Sequence, residues 1–328
     1  MNTQSNNFDV VINRNAGRVT PTLISQLQSV IPADRLHLTE SLLHSRDVLE
    51  SCVAKGTETV FAGGGDGTIV DVINGLHEFA EVPPTVGVLR LGTGNALATW
   101  LNSAAPVHDL QRWKEPNSHH IIQANMIQSE DTLFPFAGLG MDAAVLNDYN
   151  TVKSRAKNTW RAPFMKGLLG YAWAGHVKTL PNYIRKSKYS IRITNMGRPA
   201  FAIGPTGSEV GDAIPTGGII YEGEASTVTC ATTPYYGYKM KMFPFATNRA
   251  ERFQLRVVNM TALEIANNIY AAWNGGLRHP GLLDYYVDSI HVEIETDIPY
   301  QLGGEAAGYR KEMTFSLANR PTNMVSFH

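Results

Sequence analysis

Short apolar runs alternate with segments of helical spacing through the first third of the chain. The predicted strands are residues 8–12, 35–39, 59–62 and 85–89. The predicted helices are residues 22–30, 45–54 and 69–76, with a further helix beginning at Ala96. Strands that alternate with helices in this way form a parallel sheet with helices on both faces. We therefore predict an α/β domain over residues 1–120.

From about His120 the pattern changes to strand-like runs separated by Gly and Pro. The predicted strands are residues 121–127, 132–136, 189–193, 227–230 and 289–294. Runs of this kind favour antiparallel β structure, so we expect a mainly β domain, a β-sandwich, over residues 121–328. The last strand of the chain is a candidate to return to the first domain.

One segment, near residues 150–188, interrupts the second domain with a predicted helical insertion in which aromatic and basic residues are interleaved. Its basic residues, with no Asp or Glu among them, are Lys153, Arg155, Lys157, Arg161, Lys166, Lys178, Arg185, Lys186 and Lys188. A basic, aromatic helix is typical of a surface that binds an anionic membrane. A helix packed on the sandwich with a solvated basic face explains the pattern equally well, so both interpretations stay open.

The composition limits which cellular compartment and which binding partners are expected. The formal net charge of -1 at pH 7 is not that of a nucleic-acid-binding protein. Cys52 and Cys230 are far apart and have no metal-type spacing, so we expect free thiols in a reducing compartment. No signal peptide is expected from residues 1–7, and no apolar run is long enough to span a bilayer. We expect a cytoplasmic protein, peripheral on a membrane where it contacts one.

The clearest chemical motif is the run of glycines after the third predicted strand. Residues 61–68 read Phe-Ala-Gly-Gly-Gly-Asp-Gly-Thr and lead directly into a predicted helix. Glycines let the backbone approach a ligand closely, and the N–H groups of such a turn and of the following helix bind phosphate. A purely structural βα turn is the alternative, but three glycines followed by Asp-Gly-Thr in this context favour the phosphate site.

Asp66 lies in the middle of this motif, which is unusual for a site that only binds an anion. A carboxylate repels phosphates unless a cation lies between them or unless it accepts a proton from an attacking hydroxyl. The motif therefore predicts phosphoryl transfer.

Polar residues follow each of the four predicted parallel strands at the point where the strand ends. They are Asn13, Thr39, residues 63–68 and residues 92–95. Ligands of open α/β sheets bind outside the carboxyl ends of the strands, so we expect these loops to form one site.

Together these motifs resemble the diacylglycerol kinase catalytic-domain family of lipid kinases, which includes sphingosine and ceramide kinases. The ordered matches are residues 11–17, Thr39-Glu40 with His44, residues 63–68, residues 91–98 and residues 138–145. The resemblance implies an α/β domain of the phosphofructokinase and NAD kinase type, followed by an antiparallel β-sandwich. It also implies ATP- and Mg²⁺-dependent phosphorylation of a lipid hydroxyl.

The resemblance implies a set of binding residues. Those for the nucleotide are Asn13, Arg14, Thr39, Gly63, Gly64, Gly65, Asp66, Gly67, Thr68, Gly92, Thr93 and Asn95. Asp142 is the implied contact for the polar head of the lipid substrate, although it could equally be a helix N-cap. Thr68 and Asn95 could likewise act as helix caps, and Arg14 replaces a proline of the family.

The chain departs from the family at two carboxylate motifs. The family's Asp-Gly-Glu is Gly303-Gly304-Glu305 here, and residues 252–256 replace an Asp-Gly-x-Leu-Asp run without either Asp. We therefore predict Asp66 as the general base; its alternatives are to orient the loop or to hold Mg²⁺ through water. Glu305 is the predicted second catalytic carboxylate and metal ligand, and a solvated turn residue is its alternative.

Three functions follow from this reading. The leading one is a kinase of a lipid at a membrane surface, with diacylglycerol, a sphingoid base or ceramide as acceptor. The second is a kinase of a soluble acceptor, because NAD kinases share Gly-Gly-Asp-Gly-Thr. The third is a nucleotide-binding regulatory protein with a degenerate active site, which the missing Asp motivates. Whether the protein forms a homodimer is a question that the sequence leaves open.

Overall fold

The computed structural model describes residues 7–144 and 188–328, which divide into two units. The first comprises the described residues of Met1–Asn125, Gly237–Lys239 and Asn319–His328. The second comprises those of Met126–Tyr236 and Met240–Ala318. The basic insertion predicted near 150–188 lies, apart from Lys188, outside the described residues.

The first unit is built on a six-stranded, mostly parallel sheet. Its strands are β1 (Phe8–Asn13), β2 (Leu36–Thr39), β3 (Thr59–Gly64), β4 (Thr85–Arg90), β5 (His120–Ala124) and β18 (Thr322–Ser326), in the order β2-β1-β3-β4-β18-β5. Every pairing is parallel except that of β18 with β5. All six residues of β3 are buried, which is typical of a strand covered on both faces.

Helices separate the parallel strands, as the sequence pattern predicts. They are α1 (Pro21–Gln28), α2 (Leu42–Ala54), α3 (Asp66–Phe79), α4 (Ala96–Trp100) and α5 (Pro106–Lys114), with a 3₁₀ turn at Ala33–Arg35. Thr20 caps α1 by accepting from the Leu23 N–H, and Ser41 caps α2 by accepting from the His44 N–H. The side chains of Phe61, Leu89 and Val325 lie in the core on one side of the sheet.

The domain boundary predicted at 120/121 is displaced by one strand. Residues 121–124 were expected in the second domain because they are an apolar run, but they lie in β5, which pairs with β18 in the first sheet. β18 in turn pairs with β4, at Met324 and Val86, so the end of the chain completes the first unit.

The second unit contains one twelve-stranded network of antiparallel pairs. Its strands are β6 (Ile127–Ser129), β7 (Thr132–Phe134), β8 (Phe136–Gly140), β9 (Tyr189–Asn195), β10 (Ala200–Ile203), β11 (Glu209–Ile214), β12 (Ile219–Ala225), β13 (Thr227–Ala231), β14 (Phe253–Val258), β15 (Leu282–Val287), β16 (Ser289–Leu302) and β17 (Glu305–Leu317). The main path runs β11-β10-β15-β14-β13-β8-β16-β17-β6-β7, and β12 joins through β9, which pairs with β16.

The long strand β16 joins two arms of this network. Its first half pairs with β9 and its second half with β8, while β17 pairs along both halves. Side chains from both arms, such as Ile193, Leu255 and Val292, share one buried core. Two sheet layers around a shared core are the arrangement of a sandwich, so the predicted fold class, an α/β domain followed by an antiparallel β domain, is confirmed.

Two short helices, α6 (Ala262–Asn267) and α7 (Ile269–Trp273), connect β14 to β15. Thr261 and Glu264 form a reciprocal capping box at the start of α6. Among the helices of the described residues, none is long and apolar enough to cross a membrane.

Candidate functional site

The four polar loops of the first unit emerge at the same edge of the sheet. β2, β1, β3 and β4 are consecutive neighbours, and all their pairings are parallel. Their carboxyl ends are therefore adjacent, which brings Asn13, Thr39, residues 63–68 and residues 92–95 to one edge.

The junction between β3 and α3 is tighter than the predicted turn. Gly63 and Gly64 still belong to the strand, Gly65 alone is the N-cap, and α3 begins at Asp66. A Cβ at Gly64 would overlap the Thr68 side chain, so this glycine is needed for internal packing. A Cβ at Gly65 would lie 3.7 Å from the Gly92 Cα, which is an ordinary contact. Gly65 supplies no side-chain cap, so the N-terminus of a 14-residue helix faces the predicted site.

A hydrogen bond joins the first and third loops. The Asn13 Nδ2 donates to the Thr68 Oγ1 over 3.1 Å, and the Asn13 Oδ1 accepts from the Asn15 N–H over 2.9 Å. The alternative role of Thr68 was to cap α3, and the structure shows no such cap. The Thr68 hydroxyl lies in the first turn of the helix and bonds to Asn13 at the end of β1. Both side chains are part-buried at the edge where the loops meet.

Asp66 anchors the fourth loop. Its Oδ1 accepts from the N–H of Ala96, the first residue of α4, over 2.7 Å. An added Cβ at Gly94 would lie 2.7 Å from the Asp66 Oδ2, so the carboxylate lies against this loop. Asp66 thus caps α4 from another helix, and one of its predicted alternatives, orientation of the loop, is present in the structure.

Asn95 closes the loop formed by residues 92–95. It adopts a left-handed conformation, with φ 55°, and its side chain exchanges two hydrogen bonds with the backbone of Gly92, at 2.7 and 3.1 Å. Its amide is therefore used within the loop and makes no cap bond to α4. A Cβ at Gly92 would overlap the Gly65 Cα, so two loops touch backbone to backbone, while Thr93 is exposed on the surface of the same loop.

Thr39 and Arg14 tie the first two loops together. The Thr39 hydroxyl is buried and donates to the Ile12 carbonyl over 3.3 Å, while the Arg14 N–H donates to the Thr39 carbonyl over 2.9 Å. The Arg14 guanidinium pairs with Glu40 at 2.8 Å, and both side chains are exposed. The Thr39 hydroxyl is thus used for a contact within the fold, whereas the Arg14 guanidinium remains accessible to an anion.

In the second unit, Asp142 is part of a part-buried polar network. The Tyr236 hydroxyl donates to the Asp142 Oδ2 over 2.6 Å, and the Gln301 Nε2 donates to the Tyr236 hydroxyl oxygen over 2.6 Å. The Gln301 Oε1 accepts from the Gly304 N–H over 2.9 Å. Burial raises the pKa of Asp142 to about 6, although the bond from Tyr236 opposes this shift.

Glycines next to Asp142 make room for its carboxylate. A Cβ at Gly138 would overlap the Asp142 Oδ2. A Cβ at Gly140, which has φ 92°, would overlap the Ser226 carbonyl oxygen. The Gly-x-Gly-x-Asp spacing of residues 138–142 therefore has a packing reason.

The predicted acidic motif near the C-terminus forms a hairpin turn. Leu302 pairs with Glu305 across a two-residue turn in which Gly303 and Gly304 have φ values of 55° and 88°. Two consecutive positive φ values are typical of a type I′ turn, which favours glycine. Glu305 is exposed at the start of β17.

The other departure places a cation where the family has carboxylates. Arg256 on β14 is buried and forms a two-pronged ion pair with Asp284 on β15, with both N–O distances at 2.8 Å. The two residues are cross-strand partners. Arg256 therefore neutralises the Asp284 carboxylate within the core, and Asp284 has no unpaired charge to offer a cofactor.

Sequence reasoning missed Tyr236 and Gln301, which hold Asp142. Gln301 lies far from Asp142 along the chain. Asp142 follows β8, Gln301 lies on β16 and Tyr236 lies in the loop after β13, and no local spacing links the three. The pairing of β8 with β16 brings Gln301 close to Asp142.

Glu305 is the predicted metal ligand, and holding Mg²⁺ through water is one of the predicted alternatives for Asp66. Within residues 7–144 and 188–328, the only group of three His, Cys, Asp or Glu side chains close enough to bind one ion is Asp9, His37 and Cys52. Magnesium in phosphoryl-transfer enzymes is commonly held by one or two carboxylates together with the phosphates of the substrate. Single carboxylates such as Asp66 and Glu305 fit that mode and do not form a preformed cage.

Comparison with known proteins agrees with this geometry. Residues 7–128 match the diacylglycerol kinase catalytic domain, which confirms the resemblance predicted from the sequence, over less than half of the chain.

Curated relatives match over a short segment. The chain is 48% identical over 56 residues to a protein of Enterobacter sp. (strain 638) named "Probable lipid kinase YegS-like", covering 17% of this chain and 18% of that protein. It is 53% identical over 45 residues to "Probable lipid kinase YegS" of Salmonella heidelberg (strain SL476), covering 13% and 15%. The matches thus span less than a fifth of the relatives' length, and they support a relationship to lipid kinases.

A solved structure of a diacylglycerol kinase from Bacillus anthracis str. Sterne superposes with a TM-score of 0.63. The alignment covers 97% of this chain and 95% of that chain at 17% sequence identity. This similarity establishes that both units share the fold.

Proposed function

We propose that this protein is an ATP-dependent lipid kinase, which transfers the γ-phosphate of ATP to a lipid hydroxyl of the diacylglycerol, sphingoid-base or ceramide type. The observation that carries the proposal is the β3–α3 junction. A helix N-terminus whose cap is a glycine lies at the edge where four loops meet, and residues 7–128 match a kinase catalytic domain.

The nucleotide phosphates bind at Gly65 and the first turn of α3 in this proposal. Backbone N–H groups and the helix dipole supply the positive end, and the exposed guanidinium of Arg14 adds a full charge. Asn13, Thr68 and Thr93 surround the same edge. Mg²⁺ would be held by the phosphates with Asp66 or Glu305 and would supply charge neutralisation when bound.

Asp66 accepts the proton of the lipid hydroxyl in this proposal. The attacking oxygen forms a bond to the γ-phosphorus, the bond to the β-phosphate oxygen breaks, and ADP leaves. The bond from Ala96 fixes the Asp66 carboxylate in one orientation, which is what a positioned base needs.

Asp142 binds the polar head of the lipid acceptor in this proposal. Its carboxylate is fixed by Tyr236 and can accept from a hydroxyl or ammonium group of the lipid. A sphingoid base would add a charge-assisted bond to the ionised carboxylate, whereas diacylglycerol would not.

The experiment measures transfer of labelled γ-phosphate from ATP to a panel of lipids in mixed micelles, with NAD as a soluble acceptor. We expect a labelled lipid that is absent with the Asp66→Asn variant. Labelled NADP with no labelled lipid would replace the proposal with a soluble-acceptor kinase.

One observation favours a second candidate, a nucleotide-binding regulatory protein. Gly303 stands where the family has Asp, and Glu305 is exposed, so the second unit offers a reduced set of carboxylates. ATP binding in a filter assay, without transfer to any acceptor, would support this candidate and reject the kinase.

A further inference from the structure

Three side chains of the metal-binding type meet at a second place in the first unit. Asp9 lies on β1, His37 on the neighbouring strand β2, and Cys52 in the last turns of α2. One ligand atom from each lies within 4.8 Å of the other two. None of the three belongs to the phosphate-binding edge described above.

The place is distant from that edge along the same strand. Asp9 precedes Asn13 by four residues, and at roughly 3.3 Å per residue this is about 13 Å. An ion here would therefore be distinct from any Mg²⁺ that accompanies the nucleotide.

The cluster is already held in place by its neighbours. The His37 Nε2 lies 2.8 Å from the Asp9 Oδ1, and the Thr57 Oγ1 donates to the Asp9 Oδ2 over 2.6 Å. Cys52 is fully buried, and the Asp9 side chain is 7% exposed. The His37 side chain is 21% exposed and leaves a route for an ion from solvent.

We propose that Asp9, His37 and Cys52 form a binding site for a zinc-type divalent transition-metal ion. The ligands are the Asp9 Oδ1, the His37 Nε2 and the Cys52 Sγ, and Thr57 orients the carboxylate from behind through its other oxygen.

The dimensions fit zinc after small shifts, in which the closest pair of ligand atoms moves apart and the widest pair moves together. Zinc bonds of about 2.0–2.3 Å to O, N and S in a tetrahedron place the ligand atoms roughly 3.3–3.7 Å apart. The cluster spans up to 4.8 Å with one pair at 2.8 Å, so the required shifts are a few tenths of an ångström to about one.

The chemistry of the donors selects the metal. A thiolate and an imidazole favour zinc and other transition metals, whereas Mg²⁺ and Ca²⁺ prefer oxygen ligands alone. A thiolate and a carboxylate carry two negative charges, which a divalent ion neutralises in this buried position.

Binding requires the loss of one proton. Burial, with the nearby Asp9 carboxylate, raises the pKa of the Cys52 thiol to about 12, so the metal-free thiol is protonated at neutral pH. As the metal–sulfur bond forms, the S–H bond breaks and the proton goes to the buffer.

The test is titration of the full-length, chelator-treated protein with Co²⁺, a spectroscopic substitute for Zn²⁺, without nucleotide or lipid. We expect one Co²⁺ per chain, a thiolate-to-cobalt absorption band, and displacement of Co²⁺ by Zn²⁺. Since neither ATP nor an acceptor is present, the outcome does not depend on the proposed kinase activity.

Matched variants assign the ligands. We expect Cys52→Ser to remove the thiolate band and His37→Gln to weaken binding at least tenfold, while Cys230→Ser, at an equally buried free cysteine, leaves both unchanged. Thr57→Val removes only the partner of Asp9 and should weaken binding by about 10- to 100-fold.

The proposal is overturned if the wild-type protein binds no stoichiometric Co²⁺, a result that needs no variant to fold. It is equally overturned if the thiolate band persists in Cys52→Ser, or if Cys230→Ser removes it.

Discussion

At the scale of single residues, Asp66 combines a structural contact with its proposed chemistry. Its carboxylate caps α4 by accepting from the Ala96 N–H. An Asn side chain can also accept this bond through its carbonyl oxygen, whereas Ala cannot. We therefore expect Asp66→Asn to abolish phosphoryl transfer with little loss of stability. Asp66→Ala should lose transfer and also about 0.5–2 kcal/mol of unfolding free energy.

Urea unfolding of the three proteins, alongside the transfer assay, separates the two contributions. A stable and fully active Asp66→Asn variant would remove Asp66 as the base. Equal loss of stability in both variants would mean that the charge, and not the capping bond, stabilises this loop.

Asp142 is expected to make stability depend on pH. Its pKa is raised to about 6 in the folded protein, above the ordinary value of 3.8. The protonated form is therefore favoured by folding, and its contribution is complete below about pH 4 and is lost as the pH rises through 6. Asp142→Asn cannot ionise, so we expect it to gain roughly 2 kcal/mol relative to wild type between pH 4 and pH 8.

The measurement is urea unfolding of both proteins at the two pH values. Asp109, whose pKa burial also raises to about 6, is present in both proteins and cancels in the comparison. A pH-independent difference between wild type and variant would contradict a buried Asp142 carboxylate of raised pKa.

The residues that the sequence identifies best are those whose chemistry is local. Residues 63–68 and Asn13 follow directly from strand ends and glycine spacing. The roles of other residues depend on how distant parts of the chain pair, and no spacing in one sequence reveals that pairing. These residues are Tyr236, Gln301 and Asp284, the partner of Arg256.

At the scale of elements, two loops depend on backbone contact between glycines. A Cβ at Gly92 would overlap the Gly65 Cα, but a Cβ at Gly65 would lie at an ordinary 3.7 Å from the Gly92 Cα. We expect Gly92→Ala to separate the loops, at a cost of about 1–3 kcal/mol, and to lose ATP binding. Gly65→Ala should remain folded and weaken ATP binding alone.

Thermal unfolding and ATP titration of the two variants check this prediction. If Gly65→Ala binds ATP normally, the phosphates do not approach this glycine. An unaltered unfolding temperature for Gly92→Ala would mean that the loops are not packed together.

The boundaries of elements explain where the sequence prediction was inaccurate. Helix α3 begins at Asp66, three residues before the predicted helix, because the apolar spacing becomes visible only from Ile69. Gly63 and Gly64 were expected in a turn but extend β3, since buried pairing with β4 outweighs the low strand preference of glycine. A substitution at Gly64 would also disturb Thr68, so Gly65 is the better position at which to test the phosphate site alone.

At the scale of the whole chain, the first unit is completed only by the last residues. β18 lies between β4 and β5, with buried Met324, Val325 and Phe327 along or beside it. The alternation of strands and helices predicts the parallel sheet, and the last strand is a candidate to return to it. Its place between β4 and β5, parallel to the first and antiparallel to the second, follows from no local pattern, because most of the second unit separates it from β5 along the chain.

Removal of residues 320–328 should therefore prevent folding of the first unit. The truncation leaves β5 without its partner and exposes one edge of β4 and the core beneath it. We expect loss of ATP binding and of the cooperative unfolding transition of that unit, measured by circular dichroism and hydrogen exchange. On the same strand, Val325→Asp should act like the truncation because Val325 is fully buried, whereas Asn323→Asp, only half-buried, should be tolerated. A truncated chain that still binds ATP would show that β1 to β4 fold without β18, and the position of β18 in the sheet would then contribute little to the proposed nucleotide site.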